Sequence, residues 1–154
     1  MKFDVLNRIA ILGREYGHRN IRNNQISDTG HQICAFLFFH GPSHQEAIAN
    51  YILVDKTTIT KAVKSLLLAG CIDRVIDNKD KRKKILSITR VGETLIRDTI
   101  IVFQKWIAFV TKDIDEEELG AFNTVLTKIY QAALLLSEEF SDQSNIGGMY
   151  ESSL

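Results

Sequence analysis

Apolar residues recur every three or four positions near the start of the chain, which is the spacing of one face of an α-helix. This stripe runs from Phe3 to Tyr16 and predicts a first helix that frays near Gly17. After a polar, turn-like RNNQIS segment, Thr29 and Gln32 have the spacing of a capping box. The segment GHQICAFLFFH is apolar nearly all round, so it predicts a buried second helix that ends at the following Gly-Pro pair.

Two shorter helices follow. Ser43 and Glu46 again have capping-box spacing and predict the start of a third helix. Asp55 can cap a fourth helix, and Gly70 suits its left-handed C-terminal cap. The apolar face of this fourth helix comprises Ile59, Val63, Leu66 and Leu67. Its opposite face presents Lys56, Thr57, Thr60, Lys61 and Lys64.

The periodicity changes after Gly70. CIDRVI and KILSIT contain β-branched residues in near alternation, which predicts two strands of a ribbon. The segment between them is strongly basic, so the ribbon has a cationic tip. Five cations lie from Asn78 to the first residue of KILSIT: Lys79, Lys81, Arg82, Lys83 and Lys84.

Helical spacing returns at about Val91. A wide apolar belt extends from Leu95 to Val110 and breaks near Asp113. DIDEEEL then places acidic residues in the first turn of a last helix, as the helix dipole favours. We predict a disordered tail from residue 141 to 154. The fold class is mainly α (α+β), with four helices, two strands and two helices in chain order.

Composition fits a soluble globular protein. Of the 154 residues, 45% are hydrophobic and 25% are charged, which disfavours a disordered chain or a membrane protein as a whole. The N-terminal segment carries Asp4, Arg8 and Arg14 among its apolar residues, so it lacks the apolar core of a signal peptide. No run approaches the ~18 continuous apolar residues that span a bilayer. These features predict a cytoplasmic protein with no membrane partner.

The net charge of zero conceals an asymmetry. Residues 1–100 hold 16 Lys and Arg against 10 Asp and Glu, whereas residues 101–154 hold 3 against 9. A polyanion would therefore meet only part of the surface, and the acidic part would limit indiscriminate binding.

The fourth helix and the basic ribbon tip have the properties of a DNA-binding surface. Two short helices joined by a tight turn, with hydroxyls and lysines on the second, have the size and chemistry to enter the major groove. Thr57, Thr58, Thr60 and Lys61 would lie nearest the base edges. The ribbon tip could follow phosphates or place an arginine in a narrow minor groove. Helix and ribbon together predict a winged helix-turn-helix with a wing of two or three strands.

At this point the sequence resembles the MarR-type transcriptional regulators, over roughly Thr29 to Gly92. IANYILVDKTTITKAVKSLLLAGCIDR is similar to that family's helix-turn-recognition-helix segment, and DKRKKILSITRVG to its wing and the start of its long helix. The resemblance implies a homodimer that usually represses transcription and leaves DNA when a small ligand binds or a thiol is oxidised. It also implies that Arg82 enters the minor groove and that Asp80 orients the wing by pairing with a cation.

The resemblance gives a domain plan. Residues 1–140 form one winged-helix domain, with about 29–90 as the DNA-binding lobe and about 1–20 and 91–140 as dimerisation helices. The belt from residue 95 to 110 is wider than one covering helix needs, which supports a two-fold dimer. An effector pocket between the dimer helices and the winged lobe would be lined by Tyr16, His18, Phe38 and Trp106. An ordinary core position explains these aromatic residues equally well.

Other chemistry has little support. Cys34 and Cys71 lie in apolar segments and suit buried thiols better than redox sensors. The four histidines have no tight metal-ligand spacing. No glycine-rich phosphate loop or nucleophile motif indicates an enzyme, and no cofactor is expected. We therefore predict a homodimeric, ligand-responsive repressor of a pseudo-palindromic site. The alternative is a winged-helix protein-interaction module or antirepressor.

Overall fold

The computed structural model describes the backbone of residues 3–21, 26–77 and 84–150, and the side chains of residues 4–21, 26–77 and 84–136. The chain forms two compact units, residues 1–109 and 110–154. Seven of the described elements precede residue 90: α1 Phe3–Asn20, α2 Asp28–His40, β1 Ser43–His44, α3 Gln45–Ile52, α4 Lys56–Leu68, β2 Ile72–Ile76 and β3 Lys84–Ile88. Two long helices follow: α5 Arg90–Val110 and α6 Glu116–Tyr150.

The predicted order of elements is confirmed in the described residues, with one addition. The short strand β1 pairs antiparallel with β3, in the register Ser43 opposite Leu86, so the sheet has three strands in the order β1-β3-β2. β2 and β3 are also antiparallel, with Ile72 opposite Ile88 and Ile76 opposite Lys84. Ser43 therefore belongs to a strand, and α3 begins one residue after His44 without a side-chain cap. The capping box predicted at Ser43 and Glu46 is wrong.

Two other helix boundaries also differ from the prediction. α1 continues through Gly17 to Asn20. The cap of α2 is Ser27, whose hydroxyl accepts a hydrogen bond from Gly30 N at 3.2 Å, so the helix starts before Thr29. In α1, Gly17 lies against a neighbouring helix: a Cβ there would be 3.0 Å from the Phe103 ring of α5. Close packing of α1 on α5 therefore explains a glycine inside the helix.

The core of the first unit lies where α2, α3, α4 and the sheet meet. Its largest fully buried side chains are Ile33, Leu37, Ile48, Ile59, Leu66, Ile72 and Leu86. Fully burying an aliphatic side chain of this kind contributes about 1.5–3 kcal/mol. The recognition-type helix α4 is therefore fixed on its apolar side by contacts with several other elements.

A tight turn sets the angle between α3 and α4. Leu53 closes α3 in the left-handed conformation with φ of 56°, and Val54 N donates to Ala49 O at 3.1 Å. α4 ends similarly, because Gly70 has a φ of 67°, as its predicted C-terminal role requires. Both ends of α4 are thereby fixed.

α6 carries the second unit. Its backbone is helical to Tyr150, whereas the sequence predicted a disordered tail from Ser141; the segment 116–150 contains no proline to end the helix. By length and mean hydropathy alone, residues Glu116–Leu136 could cross a membrane, and none of that stretch is buried within the chain. A single such helix is weak evidence for a membrane, and three glutamates occupy its first turn.

Candidate nucleic-acid interface

The start of α4 is fixed by Asp55. Its Oδ1 accepts hydrogen bonds from the backbone N–H groups of Thr57 and Thr58, each at 2.8 Å, and its Oδ2 accepts one from the Thr58 hydroxyl at 2.6 Å. The Thr58 hydroxyl, followed by these backbone donors, lowers the pKa of the Asp55 carboxyl from its ordinary value. The predicted cap is confirmed, and it determines which side chains the first turn of α4 presents.

α4 has one buried face and one polar face. Its buried residues are Ile59, Ala62, Val63 and Leu66. Its exposed polar residues include Lys56, Thr57, Thr60, Lys61 and Lys64, as predicted. Thr58 differs, because it is half-buried and its hydroxyl is bonded to Asp55. Thr58 therefore serves the cap, and five of the six predicted α4 residues share one exposed face.

Thr60 connects two helices. Its hydroxyl donates to Lys56 O at 2.7 Å and accepts from Gln45 Nε2 of α3 at 3.0 Å. The sequence pattern does not point to Gln45, because its contact with Thr60 forms only when α3 packs on α4. The structure places its carboxamide on the same face as the α4 lysines.

The base of the wing is held by His44. Its Nδ1 donates to Lys84 O at 3.3 Å, and its Nε2 lies 3.3 Å from Asp77 Oδ2. A carbonyl oxygen only accepts, so this contact places a proton on Nδ1. β1 thus connects to the point where β2 ends and β3 begins. The exposed Lys84 is the one predicted wing cation within the described residues. The others, with Asp80, lie outside them: Lys79, Asp80, Lys81, Arg82 and Lys83.

Thr89 joins the recognition helix to α5. Its hydroxyl donates to Gly70 O at 2.6 Å and accepts from Gly92 N at 3.2 Å, so it caps α5 while holding the turn after α4. The approach of the two segments is very close: a Cβ on Gly92 would lie 2.2 Å from Cys71 O. These contacts give a physical reason for threonine and glycine at two positions of the segment that resembles the MarR family.

The cysteines are buried in the core of the first unit. Burial raises the pKa of Cys34 to about 12, with a further contribution from the neighbouring Cys71. Burial also raises the pKa of Cys71. The thiolate is the reactive form of cysteine, so the raised pKa of each thiol disfavours its reaction at neutral pH. Within residues 4–21, 26–77 and 84–136, no group of three His, Cys, Asp or Glu side chains could hold a metal ion.

The four aromatic residues predicted to line an effector pocket have separate environments. A cavity of about 490 Å³ includes His18 in its lining, together with Ile21, Ile26, Ser27, Asp28, Thr29 and His31. Trp106 instead packs against Gly13 of α1. Phe38 contacts Phe39 edge-on and lies beneath the Arg97 guanidinium at 5.2 Å. Tyr16 is half-buried on α1. None of these three appears in the described lining of the cavity.

The cavity lies between the end of α1 and the start of α2. His18 Nε2 and Asp28 Oδ1 are 2.7 Å apart across it. The His31 ring bonds through Nδ1 to Ser27 O at 3.2 Å, while its Nε2 is buried and has no hydrogen-bond partner among the residues that the structure describes. A buried polar atom without a partner is costly, so this part of the cavity could accept a polar ligand group.

A helix-turn-helix whose second helix exposes lysines and threonines, followed by an antiparallel ribbon, defines a winged-helix DNA-binding protein. The comparisons with known proteins agree. The MarR family model matches residues 26–84. The HTH-type transcriptional regulator YdgG of Bacillus subtilis (strain 168) is 27% identical over 124 residues, which is 77% of this chain and 82% of YdgG.

A second relative is also similar in sequence, and a solved structure is similar in fold. The HTH-type transcriptional regulator BilQ of Clostridium symbiosum (strain WAL-14163) is 32% identical over 85 residues, which is 55% of this chain and 59% of BilQ. The crystal structure of MarR aligns with a TM-score of 0.80 at 24% identity, and the match covers 90% of this chain and 95% of MarR. The chain is therefore similar to transcriptional regulators of the MarR family, through its winged-helix segment and its fold.

Proposed function

We propose that this regulator is a cytoplasmic homodimeric repressor that binds a pseudo-palindromic operator through α4 and the wing and leaves it when a small ligand binds. The division of α4 into a buried apolar face and an exposed face of lysines and threonines carries this proposal. An amphipathic helix of this kind can enter the major groove with its polar face against the bases. Two copies placed one helical turn of DNA apart would read an inverted repeat.

The dimer is supported by apolar surface that one chain leaves exposed. On α6, the exposed fraction of eight large apolar residues ranges from 40% to 64%. They are Phe122, Val125, Leu126, Ile129, Tyr130, Leu134, Leu135 and Leu136. Large apolar side chains left exposed along one helix mark an interaction site, and a second copy is the partner that a two-fold repressor requires.

A charge on this surface tests the dimer. Leu126→Lys should shift the full-length protein to monomers in sedimentation velocity, because burying an unpaired lysine is costly. Gln131→Lys is the matched control, since it adds the same charge at an exposed polar position of α6. A dimer that withstands Leu126→Lys as well as Gln131→Lys would contradict this interface.

The ligand response is supported by the cavity beside His18 and Asp28. A ligand can displace the repressor only if it binds the DNA-incompetent geometry more tightly than the DNA-bound one. The cavity joins the end of α1 to the start of the winged lobe, so a ligand there would contact both. His31→Phe should leave operator affinity unchanged and weaken release by an effector found in a compound screen.

DNA binding itself is tested first. Sequences bound by the full-length protein are selected from a random duplex pool, and the winner is measured by fluorescence anisotropy across a salt series. We expect an inverted repeat and a steep loss of affinity with salt, because lysines that neutralise phosphates release counterions. Arg82→Ala should weaken binding without changing helicity or dimerisation. If no sequence is enriched, the winged surface serves a protein partner, as in the interaction-module alternative.

A further inference from the structure

We propose that Gln45 of α3, held by Thr60 of α4, reads a base edge and helps to determine operator specificity. This inference rests on the proposed function, since it names a further base-reading residue of the same DNA interface. The juxtaposition that carries it is the 3.0 Å contact between Gln45 Nε2 and Thr60 Oγ1. Thr60 lies on the exposed lysine-bearing face of α4.

The single proton of the Thr60 hydroxyl fixes the orientation of the Gln45 carboxamide. A threonine hydroxyl has one proton, and that of Thr60 is donated to Lys56 O at 2.7 Å. Toward Gln45 the hydroxyl can therefore only accept. The NH₂ end of the Gln45 carboxamide must face Thr60, because the carbonyl end would bring two acceptor oxygens together. The positions of the nitrogen and the oxygen of the carboxamide thus follow from the hydrogen bond between the Thr60 hydroxyl and Lys56 O.

This orientation leaves a donor and an acceptor side by side. After one N–H of Gln45 is used on Thr60, the second N–H and Oε1 have no partner within the described part of the chain. The Gln45–Thr60 bond lies at an exposed position, and Oε1 is not among the buried unpaired polar atoms of the described residues, so the carboxamide is accessible from solvent. A glutamine carboxamide with one free N–H and its carbonyl is the bidentate complement of adenine N7 and N6. The expected ligand is therefore an adenine edge in the major groove.

Preorganisation makes the pair suitable for readout. A free glutamine has several rotatable bonds, and fixing them on binding opposes affinity. Here Thr60 fixes the end of the side chain before DNA arrives. The same hydroxyl is unable to donate to DNA, which leaves the methyl group of Thr60 for contact with a thymine methyl. Gln45 and Thr60 would thus favour an A·T pair together.

A structural role for the same contact makes a different prediction. If Gln45 only braces α3 against α4, its loss should weaken binding to every DNA sequence by a similar factor. If it reads a base, its loss should affect one base pair of each half-site. The two roles can therefore be distinguished by discrimination between sites rather than by affinity for one site.

The test measures dissociation constants for the selected operator and for each single base-pair change in it. Wild type, Gln45→Met and Thr60→Val are compared, as full-length protein. Gln45→Met keeps the length of the side chain and removes its hydrogen bonds, and Thr60→Val keeps the shape and removes the acceptor. Thr94→Val is the matched control, because the Thr94 hydroxyl makes the same type of back-bond, to Arg90 O at 2.9 Å, on α5.

We expect wild type to discriminate against substitution of one A·T pair by about tenfold or more. Gln45→Met should reduce that ratio to near one, with other positions unchanged. Thr60→Val should lower discrimination at the same pair, and the double variant should be no worse than Gln45→Met alone. Thr94→Val should leave every ratio unchanged.

Two results would overturn the inference. An equal loss of affinity for all duplexes in Gln45→Met would assign Gln45 to bracing or phosphate contact. Unchanged discrimination at every position would remove it from the interface. Failure of wild type to bind any duplex would overturn the proposed function as well, and is separate from both results because it appears before any variant is compared.

Discussion

Replacing Gly92 by alanine tests the close contact between α5 and the turn that follows α4. The added Cβ would lie 2.2 Å from Cys71 O and 2.8 Å from Ile88 Cγ1, whereas ordinary contact begins at 3.4 Å. The backbone oxygen would have to move by about 1.2 Å relative to the helix. The turn is fixed by the bond from Thr89 Oγ to Gly70 O, so this movement would disturb the cap of α5 as well.

The magnitude follows from two opposing effects. Alanine is better than glycine inside a helix by about 1 kcal/mol. Overpacking costs typically about 1–3 kcal/mol and more where backbone must move. We expect Gly92→Ala to lower the free energy of unfolding by about 2 kcal/mol or more. Gly120→Ala is the matched control, because Gly120 lies in α6 with nothing within 4 Å of an added Cβ. That change should raise stability by up to about 1 kcal/mol.

The assay is urea unfolding followed by far-ultraviolet circular dichroism, with all variants at one protomer concentration because dimerisation contributes to apparent stability. Opposite shifts of the two midpoints are expected. If Gly92→Ala is as stable as wild type, or gains as much as Gly120→Ala, the proposed close packing of α5 against the α4–β2 turn is wrong.

Three further predictions concern single side chains. Asp55→Ala should lower stability in urea unfolding at neutral pH, since it removes the cap of α4. Because the pKa of Asp55 is lowered in the folded protein, this contribution is present above the ordinary pKa of the carboxyl and is lost as pH falls through the folded pKa. Thr89→Val should lower the free energy of unfolding by about 1–2 kcal/mol, because it removes the α5 cap and the hydrogen bond to Gly70 O. A loss of stability no larger than that of Thr94→Val would contradict this role. The pKa of Cys34 is about 12 in the folded protein against an ordinary 9.0. Its contribution to the free energy of unfolding is therefore complete below pH 9 and is lost as pH rises from 9 toward 12, by about 1.4 kcal/mol per pH unit. Cys34→Ala should remove that part of the pH dependence, measured by unfolding from about pH 8 to about pH 10.5.

The parts of the fold that were predicted from sequence depend on local interactions. The Asp55 cap acts on donors two and three residues away, and the left-handed Gly70 is a property of one residue. The apolar face of α4 repeats with the helical period. Such features can be recognised in a short window, which explains why the recognition helix and its exposed lysines were correctly placed.

The errors occurred where distant contacts decide the local structure. Ser43 has a capping hydroxyl, yet it pairs with Leu86, 43 positions along the chain. Gly17 would weaken an isolated helix, but its missing side chain lets α1 approach the Phe103 ring. In both cases the local propensity was interpreted correctly and was outweighed by packing that a sequence window does not contain.

Gln45 shows the same limit at the functional site. Its position at the start of α3 carries no sequence signal for DNA reading, and only its contact with Thr60 gives the carboxamide an orientation. Thr58 shows the opposite situation. Its hydroxyl and its position on α4 suggested a base contact, but the hydroxyl donates to Asp55 Oδ2. A polar side chain near DNA can read a base only with the donors and acceptors that the protein has not already used. The hydrogen-bond partners of each α4 hydroxyl, rather than its place in the sequence pattern, therefore determine which residues can specify the operator.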